Sequence, residues 1–352
     1  MGLLTMVRPA ASQPTNLSIV PAGNQSVVYW PTNLPNYILQ STTNLAASNW
    51  TAVSNAVPVN AFVVTNAPPM TFFRLARNAT PDGMVLIPAG TFTMGDSLDG
   101  ETNAMPTVVV NVSVFYMDTN LVSYGQWLSV HDWATQNGYS FTSAGVGKGT
   151  NHPVQTVYWL DTIKWCNARS QLAGLTPVYY ADPTFTNVYK NEDWVVSVNW
   201  AANGYRLPTE AEWEKAARGG LDGQRFPWGN TISESQANYL GDTNSFSYDL
   251  GPDGYNPIGS IGGTSPATSP VGSFPVNGYG LYDMAGNVEE WCWDWYATPY
   301  AGGGDPHGPA SGFGRVVRGG YWSGGAISAR CANRGWNGAA WNFIGFRCVR
   351  RQ

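Results

Sequence analysis

Cysteine and histidine are the residues whose spacing can reveal redox or metal chemistry, and both are scarce in this chain. The cysteines are four, an even number, without a Cys-x-x-Cys spacing: Cys166, Cys292, Cys331 and Cys348. This pattern favours two disulfides over a metal cluster, and the alternative is free buried thiols that pack as small apolar residues. The three histidines do not stand at metal-pair spacing, which argues against a histidine-rich zinc or iron site.

The composition is poor in charge and rich in aromatic residues. Charged residues make up 12% of the 352 residues, and there are 16 Trp, 18 Tyr and 40 Gly, which indicates a loop-rich fold with much aromatic surface. The net charge is −5 and no run of Lys or Arg occurs, which argues against nucleic acid and anionic membranes as partners. No apolar stretch of about 18 residues is present, so we expect no membrane span.

Residues 17–77 form the first predicted domain, a small all-β module. Short apolar runs are separated by clusters of Asn, Pro, Ser and Thr, which is typical of a β-sandwich. The module has no Cys or His and almost no charge, so we assign it a role in spacing or attachment and no chemistry. Residues 1–16 are expected to be a leader remnant or linker. A boundary near residue 80 separates the module from a second domain at 82–352.

Two helices are predicted in the second domain. One covers residues 161–172. The other begins after Thr209, where Thr209 and Glu212 have the spacing of a capping box, and it ends at Gly219 and Gly220. Beyond Gly220 the pattern predicts loops and short strands. An irregular region of this length needs disulfides or bound ions to stabilise it.

Six sequence blocks of the second domain occur in the order found in the formylglycine-generating enzymes, or sulfatase-modifying factors. They are IPAGTFTMG at 87–95, YRLPTEAEWE at 205–214, FPWGN at 226–230, NGYGLYDM with GNV at 277–288, RGG at 318–320 and IGFR at 344–347. In these blocks residues 82–352 resemble that family. The resemblance implies an α+β fold, a variant of the C-type lectin fold with much irregular loop, preceded here by the all-β sandwich-like module.

The resemblance also implies an activity whose central residues are missing here. In the family, two cysteine thiolates bind one copper(I) ion, and oxygen converts a substrate cysteine to formylglycine. Both thiolates lie between the Arg-Gly-Gly turn and a later Arg-Cys pair. Here that interval, residues 321–329, contains no Cys and no His. Since copper(I) requires soft thiolate ligands, we expect no copper and no catalytic residue of the family type.

Three of the four cysteines match structural positions of the family, and Cys292 is left over. Cys166 and Cys348 match a pair that is bridged in the family, and such a bridge closes a loop worth on the order of 4–5 kcal/mol in the chain-entropy model. Cys331 matches a structural cysteine whose usual partner position is Ala217 here. Cys292 is then its natural partner.

Structural calcium is a further implication of the resemblance. The family's second calcium site combines a side chain, two backbone carbonyls and a glutamate, and the matching positions are Asp283, Gly286, Val288 and Glu290. Such oxygen ligands suit this hard cation, and the alternative is an acidic turn without an ion. The first family site is matched in part, by Asn238 and the carbonyl of Tyr239. Asp253 could complete it only if its loop folds back.

The segment near the C-terminus has the composition of a contact surface. Fixed motifs alternate there with aromatic, Asn and Ser residues, which combine rigid contact area with adaptable hydrogen bonding. The alternative is that these aromatic residues belong to the core or to ordinary loops. The candidate ligand-binding residues are Tyr321, Trp322, Ser323, Ile327, Trp336, Asn337, Trp341, Asn342 and Phe343.

These features together favour a non-catalytic, extracellular or cell-surface protein that binds a protein, peptide or carbohydrate ligand. The expected location depends on the predicted disulfides, the calcium and the low lysine content. The C-terminal layout also resembles variable proteins of diversity-generating retroelements, although Trp336 and Trp341 do not arise from adenine randomisation of Asn codons. Two alternatives stay open: an oxidoreductase of the family that acts on a protein or small thiol, and a secreted scaffold.

Overall fold

The computed structural model describes residues 3–6, 17–22, 25–29, 37–43, 51–52, 61–64, 70–77, 80–191, 196–260 and 267–352. The chain divides into two compact units, Met1–Pro81 and Asp82–Gln352. None of the helices in these ranges combines the length and the apolar character that a bilayer crossing requires.

The first unit is built from strands. They are β1 Leu3–Met6, β2 Ser18–Ala22, β3 Gln25–Tyr29, β4 Tyr37–Thr42, β5 Thr51–Ala52, β6 Ala61–Val64 and β7 Met70–Arg77. Their order is β1-β7-β4-β5 in one sheet and β2-β3-β6 in the other. Val28 of the second sheet and Leu39 and Phe73 of the first are buried, as the predicted sandwich-like module requires.

Residues 3–6 differ from the prediction of a leader remnant or linker. They form β1, which pairs in parallel with β7 from Leu3 opposite Met70 to Met6 opposite Phe73. The physical reason is that β7 offers unpaired backbone groups on this edge, and a short apolar segment satisfies them. The remainder of the predicted 1–16 segment, apart from residues 3–6, lies outside the described residues.

Three α-helices occur in the described part of the second unit: α1 Tyr124–Gln136, α2 Trp159–Leu172 and α3 Glu210–Ala217. The predicted capping box of α3 is confirmed, because the Thr209 side chain accepts from Glu212 N and the Glu212 carboxylate accepts from Thr209 N. Helix α1 was not predicted. The sequence signal for this helix is its N-cap residue Ser123, whose side chain accepts from Gln126 N. Gly125 in the first turn weakens the helical pattern, so the N-cap is hard to recognise from the sequence.

Short strands make up the rest of the second unit. They are β8 Met84–Ile87, β9 Gly90–Met94, β10 Val108–Val112, β11 Phe115–Asp118, β12 Tyr179–Tyr180, β13 Ser197–Val198, β14 Tyr205–Arg206, β15 Leu240–Gly241, β16 Gly254–Tyr255, β17 Glu289–Trp295, β18 Gly303–Gly304, β19 Arg315–Arg318, β20 Arg334–Asn337, β21 Ile344–Gly345 and β22 Val349–Arg351. Single turns of 3-10 helix cover Thr102–Ala104, Pro257–Ser260 and Ala326–Ala329.

Two four-stranded sheets carry most of the architecture of this unit. Their orders are β14-β22-β11-β8 and β20-β19-β17-β21. In the second sheet β19 runs antiparallel to both β17 and β20, and the register against β17 shifts between Trp291 and Trp295. This shift bends β17.

Large aromatic residues fill the core around α1 and α2. Trp127 and Trp165 stack with ring centroids 6.0 Å apart and an angle of 3°, and Phe346 meets both edge-on. A second apolar cluster packs α3 through Trp213 against Met284 and Val349. Both clusters are continuous with the second sheet, so the loops at its edge rest on rigid supports.

Candidate ligand-binding surface

Three aromatic side chains near the C-terminus stack on one another. The ring centroids of Tyr321 and Phe343 are 4.4 Å apart at an angle of 23°, and those of Phe343 and Trp341 are 6.1 Å apart at 5°. Trp341 is 50% exposed, and the other two side chains are half-buried. We call Tyr321, Phe343 and Trp341 the aromatic stack.

Backbone hydrogen bonds tie the aromatic stack to its supports. The carbonyl of Phe343 accepts from Glu289 N at the start of β17 (2.8 Å), and the carbonyl of Trp341 accepts from Thr156 N (3.0 Å). Trp322, beside Tyr321 in the chain, donates from its backbone N to Asn287 O at 3.0 Å and from Nε1 to Asn342 O at 3.5 Å. A surface held in this way loses little conformational freedom when a ligand binds.

A carboxyl group belongs to the same surface. Burial raises the pKa of Glu289 to about 7, and the pKa of Tyr321 is raised by burial and by the charge of Glu289. Among the described residues no Lys, Arg or His lies within ion-pair distance of Glu289, which is absent from every salt bridge. Near neutral pH this carboxyl can therefore either donate or accept a hydrogen bond.

The structure separates the nine predicted ligand-binding residues into two groups. The aromatic stack lies with Trp322 and Asn342, whereas Trp336, also 50% exposed, packs edge-on against Phe313 at 4.9 Å. Asn337 joins the groups, because its Oδ1 accepts from Trp341 Nε1 at 3.1 Å. The other two predicted residues lie half-buried between Trp322 and the end of the Ala326–Ala329 turn: Ser323 and Ile327.

All four cysteines are buried thiols in the structure. The sulfurs of Cys166 and Cys348 are 3.6 Å apart, in contact but beyond bonding distance. Cys292 and Cys331 belong to the same apolar cluster. Burial raises the pKa of Cys166 and Cys292 well above the ordinary value and that of Cys331 to about 12. Such thiols are poor nucleophiles and poor metal ligands, and the predicted disulfides stay predictions.

A buried ion pair lies beneath this surface. Arg347 donates from Nε and Nη2 to the two carboxylate oxygens of Glu290, at 2.7 and 2.9 Å. Its Nη2 also donates to the carbonyl oxygens of Tyr282 and Asp283. Both partners are fully buried, so the arginine crosslinks β17, the 282–283 turn and the C-terminal segment.

Residues 70–352 match the model of the Sulfatase-modifying factor enzyme 1-like domain. This chain belongs to that family. The predicted α+β fold of formylglycine-generating-enzyme type is thereby confirmed.

Individual members of the family and solved structures are similar over most of the chain. The formylglycine-generating enzyme of Thermomonospora curvata is 36% identical over 306 residues, which cover 76% of this chain and 93% of that enzyme. The chaperone protein LppX of Paenibacillus barcinonensis is 36% identical over 223 residues, 62% of this chain and 73% of that protein. Variable protein 1 of Treponema denticola aligns with a TM-score of 0.59 and 30% identity over 76% of this chain and 95% of its own.

The calcium ligands predicted from the family are occupied by protein donors. Glu290 is engaged by Arg347 through both oxygens. Asp283 accepts from Gly272 N at 2.8 Å and from Asn287 Nδ2 at 3.3 Å. Gly286 has φ +76° and lies so close to Asn238 O that a Cβ would approach it to 2.3 Å. In this arrangement the two carboxylates do not fit a cation, since each of their oxygens accepts from a positive or N–H partner. Calcium binding stays a prediction to be tested.

The partial first calcium site is arranged differently from the expectation. Asn238 donates from Nδ2 to Ala267 O at 3.0 Å, and Tyr239 donates from its hydroxyl to Asp249. The loop of Asp253 does fold back, because β15 and β16 pair through Gly241 and Gly254. Asp253 then accepts from Thr243 N at 2.6 Å, so its carboxylate closes a turn. Among the described residues no cluster of three or more His, Cys, Asp or Glu side chains could hold a metal ion.

A cleft that was not predicted opens beside β17. Trp159, Trp293, Trp295 and Arg315 contribute to its lining. A signal for it was present: tryptophan occupies alternate positions 291, 293 and 295, and alternate residues of a strand face the same side. What the spacing could not indicate is the arginine brought to them by β19.

Proposed function

We propose that this protein is a non-catalytic member of the sulfatase-modifying factor family that binds a protein ligand through an exposed peptide segment. The observation that carries the proposal is the aromatic stack. It consists of Tyr321 and two residues of the C-terminal segment. Tyr321 is the first residue of the 321–329 interval, where the family's enzymes have their copper-binding cysteines. A stack with one exposed face, a hydroxyl and an uncompensated carboxyl offers apolar contact and hydrogen bonding together.

A finer form of the proposal is that the protein displays variable residues. The similarity to variable protein 1 of Treponema denticola supports it, as does the alternation of family motifs with aromatic, Asn and Ser residues from 321 to 343. The test is genomic: a near-copy of this coding segment beside a reverse transcriptase gene supports diversification. Their absence from the neighbouring DNA would remove this finer proposal and leave ligand binding in place.

Selection from a random peptide library displayed on phage tests the binding proposal. Peptides enriched on the wild-type protein should bind at least tenfold more weakly to Tyr321→Ala/Trp341→Ala, because the outer and inner faces of the stack are lost. Leu250→Ala, a change at a residue 63% exposed elsewhere, should bind them normally. If these peptides bind equally well to both variants, the binding surface lies elsewhere. If the protein binds oligosaccharides and no peptides, the ligand class is different.

The competing activity, oxidation of a cysteine, has a direct assay. The protein loaded with copper(I) and exposed to oxygen is incubated with a cysteine-containing peptide, and the thiol and any aldehyde product are followed by mass spectrometry. We expect the thiol to persist, because all four cysteines are buried and none lies within residues 321–329. Aldehyde formation that depends on copper would reject the non-catalytic proposal.

An extracytoplasmic location is part of the proposal and depends on the cysteines. The contact between the Cys166 and Cys348 sulfurs supports a bridge in an oxidising compartment. Protein purified from its native compartment should show no thiol that alkylates before reduction. Two or more reactive thiols under denaturing, non-reducing conditions would contradict the predicted pairs Cys166–Cys348 and Cys292–Cys331.

A further inference from the structure

The cleft beside β17 is a second candidate site, which adjoins the aromatic stack through Asn337. It has a volume of about 890 Å³, within the range of small-molecule sites. Its tryptophans come from different elements: Trp159 begins α2, Trp200 follows β13, and Trp293 and Trp295 lie on β17. Phe313, which is 74% exposed, also contributes to the lining.

Arg315 is the cation of this cleft. Its guanidinium carbon lies 3.6 Å from the ring centroid of Trp159 and 3.7 Å from that of Trp295, so the group is held between two indole faces. One of its nitrogens, Nη1, donates to the carbonyl of Trp293. Its Nε is buried without a hydrogen-bond partner. Stacking and one hydrogen bond orient the guanidinium but leave most of its donor capacity unused.

Arg315 makes no ion pair in the described structure, although Tyr179 and Asp294 act on its charge from a longer distance. Among the described residues no carboxylate lies within ion-pair distance of it, whereas most other buried arginines of the unit have one: Arg169, Arg206, Arg218, Arg318, Arg330, Arg334 and Arg347. Burial lowers the pKa of Arg315 to about 9, the direction expected for a desolvated cation. A largely desolvated charge normally has an ion-pair partner, so the lack of one among the described residues points to a ligand.

The other groups of the cleft limit the charge of that ligand. Among the described residues, the lining contains Arg315 as its arginine and no Lys, Asp or Glu. His307 stacks on Trp200 with centroids 3.6 Å apart, and burial lowers its pKa, so it is neutral near pH 7. Arg206, above the same Trp200, is already paired with Glu212. One uncompensated guanidinium matches one negative charge; a phosphate dianion would need a second cation.

We propose that this cleft binds a small organic carboxylate that carries a ring, with the carboxylate against Arg315 and the ring against the tryptophans and Phe313. Two ring types meet this description, an aromatic acid and a sugar acid, because both stack on indole faces. The proposal does not depend on the aromatic stack, and the two sites can be inactivated separately.

Calorimetric titration with matched probes tests the site. Phenylacetate combines ring and carboxylate, phenylacetamide has the ring without the charge, and acetate has the charge without the ring. We expect phenylacetate to bind at least tenfold more tightly than either of the others, and inorganic phosphate to compete weakly. Glucuronate, titrated in parallel, separates a sugar acid from an aromatic acid.

Variants separate the charge contribution from the ring contribution. Arg315→Gln should weaken the binding of phenylacetate at least tenfold, so that its affinity equals that of phenylacetamide. Phe313→Ala should weaken the binding of both ring ligands by a similar factor. Arg351→Gln, at an exposed arginine of β22, is the matched control and should change neither. The melting curve of each variant is recorded, and Phe313→Ala, at an exposed side chain, keeps the test usable if Arg315→Gln does not fold.

Three results would overturn the proposal. Equal affinity for phenylacetate and phenylacetamide would show a neutral ring site. Unchanged affinity in folded Arg315→Gln would show that the guanidinium does not hold the carboxylate. Failure of both phenylacetate and glucuronate to bind at millimolar concentration would remove the ligand class, and this outcome leaves peptide binding by the aromatic stack unaffected.

Discussion

Two arginines of the same short strand lie in opposite surroundings. Arg318 at the end of β19 is fully buried beside Glu210 and Glu214, and it donates to the carbonyls of Cys331 and Asn333. Arg315 at the start of β19 lies between tryptophan rings and reaches no carboxylate among the described residues. Because three positions separate them, their side chains leave opposite faces of the strand.

The region around Arg318 is a network of buried ion pairs. Glu214 accepts from Arg218, from Arg318 and from Gly95 N, and Glu210 is held by Arg334. Burial alone raises the pKa of Glu214, but Arg218 and Arg318 outweigh it and leave the pKa below its ordinary value. This region fixes α3 to the second sheet. The cleft around Arg315 has a cation of the same kind that forms no ion pair among the described residues, which is the arrangement expected of a binding site and not of a support.

Removing Glu214 should have the largest effect on stability. Glu214→Ala leaves Arg218 and Arg318 buried without their shared carboxylate, which costs about 3–5 kcal/mol for a buried pair. We expect a strong shift of the urea midpoint. Glu289→Gln removes a carboxyl that no arginine contacts in the described residues, and it should change stability by less than about 1 kcal/mol. Similar losses in both variants would show that the arginine network is not a special support.

Glu290→Ala should have a nearly comparable effect, and it decides between an ion pair and calcium. The loss of the bidentate contact leaves Arg347 uncompensated, so we expect about 3 kcal/mol of destabilisation that is the same in calcium buffer and in excess chelator. Thermal melts of the wild type and the variant in both buffers measure it. A loss confined to calcium buffer would restore the calcium assignment of Asp283 and Glu290.

Local signals in the sequence predicted much of the fold but little of this contrast. The capping box at Thr209 and Glu212 is set by contacts within one turn, so it can be recognised from adjacent residues, and the six blocks identify the family. The burial of Glu290 follows from Arg347, a residue 57 positions away. Calcium and an arginine both satisfy a buried carboxylate, and residue type at Glu290 does not distinguish them.

The two roles of arginine on β19 were unpredictable for a similar reason. Arg315 and Arg318 are the same residue type in one four-residue strand, and their surroundings come from α2, α3 and β17, which are distant in sequence. The candidate surface was predicted in part: Tyr321, Trp341 and Phe343 do stack, whereas Trp336 lies with Phe313 near the cleft. Sequence alternation assigns residues to faces, but only the register of β17, β19 and β20 determines which faces meet.

The pH dependence of stability should reveal Asp294, a carboxyl between the two regions. Burial, and then the charge of Glu210, raise its pKa to about 8. The folded state therefore keeps a proton on Asp294 that the unfolded chain releases above the ordinary pKa of ~3.9. This tighter proton binding stabilises the folded protein at low pH, and the stabilisation is lost as the pH rises towards 8.

Asp294→Asn does not titrate, and its stability relative to the wild type should rise between about pH 5 and pH 8 by roughly 1–3 kcal/mol. Urea unfolding at both pH values measures the difference. Asp222→Asn, at an exposed aspartate, is the control and should show no such rise. A flat difference for Asp294→Asn would mean that this carboxyl is ionised in the folded protein and that its surroundings beside Glu210 are better solvated than its burial indicates.

The smallest change in stability is expected at Arg315, and it is the most informative. Arg315→Gln loses stacking on Trp159 and Trp295, worth about 0.5–2 kcal/mol per contact, but it also removes a desolvated cation. These contributions oppose each other, so the free energy of unfolding should change by less than about 1 kcal/mol. Arg318→Gln should lower it by several kcal/mol, because Glu210 and Glu214 then face each other with less positive charge. Urea unfolding of the two variants makes the comparison within one strand. If Arg315→Gln were as destabilising as Arg318→Gln, the guanidinium would be a support for the tryptophans, and its missing carboxylate would no longer indicate a ligand.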